Sequence, residues 1–207
     1  MRHLVRSLVT LAILALPVLA IDPPKPKPAK LAPYVTSPQP VVDKMLQLAG
    51  LKSGETVYDL GCGDGRILFS AARNFSAKAV GVELSGTLVR RTREQSEAMG
   101  LADQVKVIQG DMMQVDLKDA DVVTLYLITE ANDQLRPKFE KELKPGARVV
   151  SLEFKMRGWK PSRVEKVEAP PPPSTLYLYA LPPPPSPSTT IPTPPAPPSA
   201  RFLSSSP

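Results

Sequence analysis

The sequence predicts an α/β domain built on a doubly wound, mostly parallel sheet of seven strands whose last strand is antiparallel. Three observations predict it. Residues 57–67, Val-Tyr-Asp-Leu-Gly-Cys-Gly-Asp-Gly-Arg-Ile, read as a buried strand that runs into a glycine-rich turn and then a helix. Strand-like runs follow at 78–83, 105–109 and 121–127, the last continuously apolar as a strand covered on both faces should be. Near the end, 164–169 alternates apolar and charged residues and 175–181 is a β-rich island between prolines, so a hairpin joins them as strands six and seven.

Taken in order, the first element is a helix. Ser37 is placed to cap it with Pro38 in its first turn, Val41, Val42, Met45, Leu46 and Ala49 fall on one face, and Gly50 ends it. Strand one then leads into Gly61, Gly63 and Gly65, which remove side chains where the backbone must turn tightly and approach a ligand. The next helix offers free N–H groups at its start. Strand two ends in Glu83, about twenty residues after the glycines, where a doubly wound fold puts a carboxylate on ribose hydroxyls. Strand three leads into Gly110-Asp111-Met112. Strand four should present its C-terminal end, with Tyr126, Thr129 and Glu130, to a substrate. Leu143-Lys144-Pro145-Gly146 gives a helix end and a turn before strand five. The stretch 154–162 is short and holds Pro161, so a helix between strands five and six is reduced or absent.

The acids around the turn decide what it holds. A dinucleotide site has the form G-x-G-x-x-G with a pyrophosphate on the helix terminus. Here the third glycine comes one residue early and Asp59 and Asp64 flank the turn, so a pyrophosphate would meet two carboxylates. A ligand with a cationic amine fits better. Asp59-Leu60-Gly61-Cys62-Gly63-Asp64-Gly65 resembles motif I of the class I S-adenosylmethionine-dependent methyltransferases, a Rossmann-like family whose cofactor carries an ammonium, a sulfonium and a ribose but no phosphate.

The resemblance implies roles for further residues. Asp59, Gly61, Gly63, Asp64 and Gly65 would cradle the cofactor, Glu83 would hold the ribose, Asp111 would reach the adenine amino group and Met112 would pack on the ring. The segment Pro33-Tyr34-Val35-Thr36-Ser37-Pro38 would fold over the cofactor, with Tyr34 in contact. Together with the turn written as Y-D-L-G-x-G-D-G-R-I, it makes the chain resemble the small protein-lysine N-methyltransferases of mitochondrial membranes and their bacterial relatives. That likeness spans residues 33–181 and implies S-adenosyl-L-methionine as cofactor and a protein lysine as acceptor. Tyr126 and Glu130 are the candidates for positioning the amine, and a small-molecule acceptor is the alternative. The N/D-P-P-Y/F signature of methylation on glutamine or nucleobases is missing.

The ends of the chain carry a different message. Arg2 and Arg6 precede an apolar run over 8–19, and Val18-Leu19-Ala20 resembles a cleavage site, so residues 1–20 read as a signal peptide or an uncleaved membrane anchor. Cleavage after Ala20 would take the formal net charge from +6 to +4. The expected placement is exported, periplasmic or membrane-anchored, with the cytosolic face of a membrane or a mitochondrion as the alternative. Because the methyl donor is made in the cytosol, the chemistry pulls against export. Residues 21–32 form a Pro/Lys-rich linker, and residues 182–207 a Pro/Ser-rich tail expected to be extended.

Composition removes other classes. The sole histidine, His3, lies in the leader, which leaves no imidazole for a metal site or a catalytic triad in the domain. The sole cysteine, Cys62, sits inside the glycine turn as a small residue in a tight place. The charge is modest and no basic stripe with interleaved aromatics is visible, so no nucleic-acid partner is expected. Two other readings stay open: a nonenzymatic module that binds the cofactor without turnover, and a nucleotide-linked oxidoreductase.

Overall fold

The structure, a computed structural model, describes residues 35–168 and 172–181. The leader, the Pro/Lys-rich linker, Tyr34 and the tail lie outside the described residues. Among the described residues, no helix is long and apolar enough to cross a membrane.

Seven strands form one sheet in the order β3-β2-β1-β4-β5-β7-β6. They are β1 (Thr56–Leu60), β2 (Lys78–Glu83), β3 (Val105–Gln109), β4 (Val122–Leu125), β5 (Arg148–Leu152), β6 (Arg163–Val167) and β7 (Ser174–Ala180). The pairs among β1 to β5 are parallel, and β7 runs antiparallel to both β5 and β6. The chain steps outward from β1 through β2 to β3 and then returns to β4 on the other side of β1. That reversal opens a crevice beyond the carboxyl ends of β1 and β4. The predicted hairpin forms, and no helix separates β5 from β6.

Among the described residues four helices cover the sheet: α1 (Gln39–Leu48), α2 (Arg66–Phe75), α3 (Gly86–Ala98) and α4 (Thr129–Glu142). On one side Val41, Val42, Met45 and Leu46 of α1, Leu68 and Ala71 of α2 and Val89 of α3 pack with Val57, Val150 and Leu176 of the sheet. On the other, Ala131, Leu135 and Phe139 of α4 pack with Leu60, Val123, Leu125 and Val149. Strands β1 and β4 send side chains to both layers and are almost wholly buried, which explains why the β4 sequence reads as a nearly unbroken apolar run.

Two local expectations are corrected. Helix α1 begins one residue later than Ser37 could cap, with Pro38 at the N-cap, Pro40 just inside and no side-chain cap. Ser37 is buried instead, and its carbonyl accepts from the Arg66 guanidinium, so the residue fastens the entry segment to α2. Strand β4 stops at Leu125, two residues early, because the chain lifts out of the sheet at Tyr126 and Leu127 to begin α4 at Thr129.

Candidate active site

The carboxyl ends of β1, β2, β3 and β4 open on one cleft of about 450 Å³. Its floor is the glycine turn. Gly61 and Cys62 both donate their N–H groups to the Val82 carbonyl, at 2.8 and 3.1 Å, which straps the turn to the end of β2. Gly61 and Gly63 have φ of +89° and +54°, conformations that side chains disfavour. Strand β2 comes up close beneath, since a Cβ at Gly81 would lie 2.5 Å from the Cys62 Sγ. Cys62 is thus buried packing against β2, and burial pushes its thiol far above the ordinary range.

Three carboxylates line the cleft, each held differently. Asp59 is 4 % exposed, and the Thr124 hydroxyl on the neighbouring strand donates to its Oδ1 at 2.8 Å. Burial pushes the Asp59 carboxyl up to about 7 against the pull of that hydrogen bond, with the charges of Asp64 and Glu83 adding to the rise. Glu83, at the tip of β2, accepts the Gly63 N–H on Oε2 (3.1 Å) and the Ser85 N–H on Oε1 (2.8 Å). Both oxygens keep acceptor capacity toward the cleft. Asp64 pairs with Arg66 at 2.5 Å, and that hydrogen bond and charge hold its carboxyl below the usual range. Apolar walls come from Ile67, Val82, Leu88, Met112 and Leu127, and the roof from Val35, Thr36 and Ser37.

Of the residues singled out in the sequence, Asp59, Gly61, Gly63, Asp64, Glu83, Met112 and Tyr126 converge on this cleft. Gly65 does not: it starts α2 with φ +77°, and a Cβ there would meet the Thr92 methyl at 2.4 Å, so it is a packing glycine between α2 and α3. Asp111 stands beside the cleft, between the lining residues Gly110 and Met112, with its Oδ1 accepting the Met113 N–H at 2.9 Å. Glu130 is a correction. It sits exposed in the first turn of α4 and pairs with Arg157 at 3.1 Å, away from the cleft lining. Sequence reading passed over Thr124, a lone polar residue in an apolar strand, and Ser85, whose Oγ caps α3; the second carried an ordinary helix-start signal.

The donor set suits a ligand with an amine, hydroxyls and an apolar ring, and among the described residues the only cation lining the cleft, Arg66, is paired with Asp64. Among the described residues, no group of three or more histidines, cysteines or acids could hold a metal ion.

Known proteins agree with this geometry. The ANTKMT methyltransferase domain matches residues 59–163. A protein-lysine N-methyltransferase of Saccharolobus islandicus is 47 % identical over 148 residues, covering 71 % of this chain and 92 % of the relative. The mouse adenine nucleotide translocase lysine N-methyltransferase is 35 % identical over 132 residues, 64 % of this chain but 57 % of the mouse protein. A Salinibacter ruber protein described as an RNA methyltransferase, solved with S-adenosyl-L-homocysteine, is 42 % identical and superposes with a TM-score of 0.68 over 72 % of this chain and 94 % of its own. With the glycine turn, the three cleft acids and the strand order all in place, the chain belongs to the ANTKMT family of class I, S-adenosylmethionine-dependent methyltransferases.

Proposed function

We propose that this enzyme N-methylates a lysine side chain of a protein. The observation that carries the reading is the charge of the cleft, whose described residues offer carboxylates and a phenol but no unpaired cation to receive a phosphate. The kinship with lysine methyltransferases supports it. When bound, S-adenosylmethionine supplies a sulfonium-activated methyl carbon, to which the amine lone pair bonds as the carbon–sulfur bond breaks. Within the chain, Asp59 would face the cofactor ammonium, Glu83 the ribose hydroxyls, and Met112 with the apolar walls the adenine. The protein's share of the catalysis is alignment, with Tyr126 at the end of the cleft nearest the acceptor.

RNA methylation is the second reading, favoured by the description of the Salinibacter ruber relative. The two separate cleanly with tritiated methyl donor and an extract divided into protein and RNA. Label in protein, recovered as methyl-lysine after acid hydrolysis, is the expected result. Label confined to RNA would overturn it.

The reading includes placement at or beyond a membrane through residues 1–20. Fractionation of cells carrying an epitope-tagged full chain should find the protein in the membrane or exported fraction; recovery only from the cytosol would refute this.

Asp59 makes cofactor binding pH-dependent. A cationic ligand favours the ionised carboxyl, which predominates in the free protein only above about pH 7. At pH 6 the affinity should therefore be about tenfold lower than at pH 8, with a proton released on binding. Titration calorimetry at both values, in buffers of different ionisation enthalpy, reads both effects. In the free protein the sign is opposite. A carboxyl raised on folding contributes stability that is full below its unfolded value of 3.8 and lost as the pH climbs through about 7.

A further inference from the structure

Among the described residues two non-glycines have positive φ, Ser76 and Glu153. Ser76 closes α2, a place where left-handed residues commonly end helices. Glu153 closes no helix. It follows β5 with φ 63°, and the Phe154 N–H returns to the Leu152 carbonyl at 2.8 Å. A bond from i+2 back to i across a residue of positive φ is the rare, strained hand of γ-turn. Glycine would take that backbone freely, so a glutamate here carries strain that its own backbone does not require.

Such strain persists only where the surroundings fix it. Here they do. The Glu153 N–H donates to the Thr175 carbonyl at 2.7 Å, and the Thr175 N–H returns to Glu153 Oε1 at 3.2 Å. The buried Asn132 amide donates to the Phe154 carbonyl and to the Ser151 hydroxyl, and the Met156 N–H donates to the Tyr179 hydroxyl. All of this framework is at the carboxyl edge of β5. Strand β5 lies beside β4 in parallel register, Leu125 opposite Ser151, so the segment that leaves β5 at Glu153 adjoins the one that leaves β4 at Tyr126. Tyr126 lines the cleft, and Glu153 lies outside its lining at the end of the neighbouring strand.

We infer that Glu153 and Tyr126 form the subsite for the acceptor amine, with the Glu153 carboxylate accepting a hydrogen bond from the incoming lysine ammonium; this rests on the lysine reading above. No cation of the described residues pairs with Glu153, and Oε2 has no hydrogen-bond partner among them. Burial and the nearby Glu153 charge both hold the Tyr126 phenol above its usual range, so it stays a neutral hydroxyl within electrostatic reach of the acid. Glu153 binds and orients. The proton that the ammonium sheds before attack goes to water.

The test uses the full chain, tritiated methyl donor and protein extract from source cells in which the gene has been deleted. Glu153→Gln keeps an oxygen for the Thr175 N–H and removes the charge. Glu153→Gly relieves the γ-turn, and Glu153→Asp keeps the charge. The first two should keep the parent's affinity for S-adenosylhomocysteine and a Tm at or above the parent's. Their kcat/KM for protein lysine should fall about tenfold or more, chiefly through KM, as expected for a lost charge-assisted hydrogen bond. Glu153→Asp should recover part of that loss. A Glu153→Gln variant with the parent's KM, or losses that only follow a lowered Tm, would overturn the inference and leave the lysine reading standing. A parent that labels RNA and no protein would overturn both.

Discussion

Glu83→Ala is expected to weaken S-adenosylmethionine binding by about two to three orders of magnitude while leaving the domain folded. The size follows from what the carboxylate does. Its two oxygens are oriented by the Gly63 and Ser85 N–H groups, so it meets a ribose with its remaining acceptor capacity already aimed. Hydrogen bonds to a charged group are worth about 1.5–3 kcal/mol each, and two of them at the lower end of that range account for about 3–4 kcal/mol, or a factor of 10² to 10³ in affinity. The fold survives because Glu83 is only partly buried and the turn remains strapped to β2 through the Val82 carbonyl. Glu83→Gln, which keeps one acceptor and loses the charge, should fall between the two, about tenfold down. Calorimetry with S-adenosylhomocysteine beside a thermal melt checks the prediction, and an unchanged affinity in Glu83→Ala would remove the ribose role from this residue.

The sequence made the cofactor half legible because each of its parts leaves a local trace. A strand covered on both faces is continuously apolar, as in 121–127, and a turn that must reach φ above zero is written in glycine, as at Gly61 and Gly63. An acid at a strand end, Glu83, is visible because it interrupts such a run. The closing hairpin was legible from the β-rich residues between two proline runs. What failed depended on contacts distant in sequence. Ser37 has the composition of a cap, but Arg66, 29 residues on, claims its carbonyl. Glu130 follows β4 as a substrate residue should, yet Arg157, 27 residues further, meets it at the surface. Glu153 gave no signal at all, since nothing in Leu-Glu-Phe announces a left-handed residue; only its paired bonds with Thr175, and those of Phe154 with Asn132 and the Leu152 carbonyl, define it.

Gly65 shows the same limit from the other side, and it yields the second large effect. Its place in the motif suggests cofactor contact, but its environment is the junction of α2 and α3. A Cβ there would lie 2.4 Å from the Thr92 methyl and 3.1 Å from the Phe69 ring, with φ at +77°. Thr92 cannot yield cheaply, being 1 % exposed with its hydroxyl committed to the Gly63 carbonyl at 3.2 Å. Gly65→Val should therefore lose stability first. The left-handed backbone costs about 1–2 kcal/mol for a side chain and overpacking about 1–3 more. The sum, about 2–5 kcal/mol, corresponds to a fall in Tm of roughly 5–15 °C for a domain of this size. Gly100→Ala is the control, with a comparable φ of +68° and nothing within 4 Å, so it isolates the backbone share. A thermal melt of both variants with and without S-adenosylhomocysteine decides the point. A Gly65→Val domain that melts like its parent but no longer binds would return this glycine to the cofactor. The expected outcome is a lowered Tm that saturating ligand partly restores, because Thr92 ties the helix junction to Gly63 and the same contact that makes Gly65 indispensable to packing also supports the floor of the cleft.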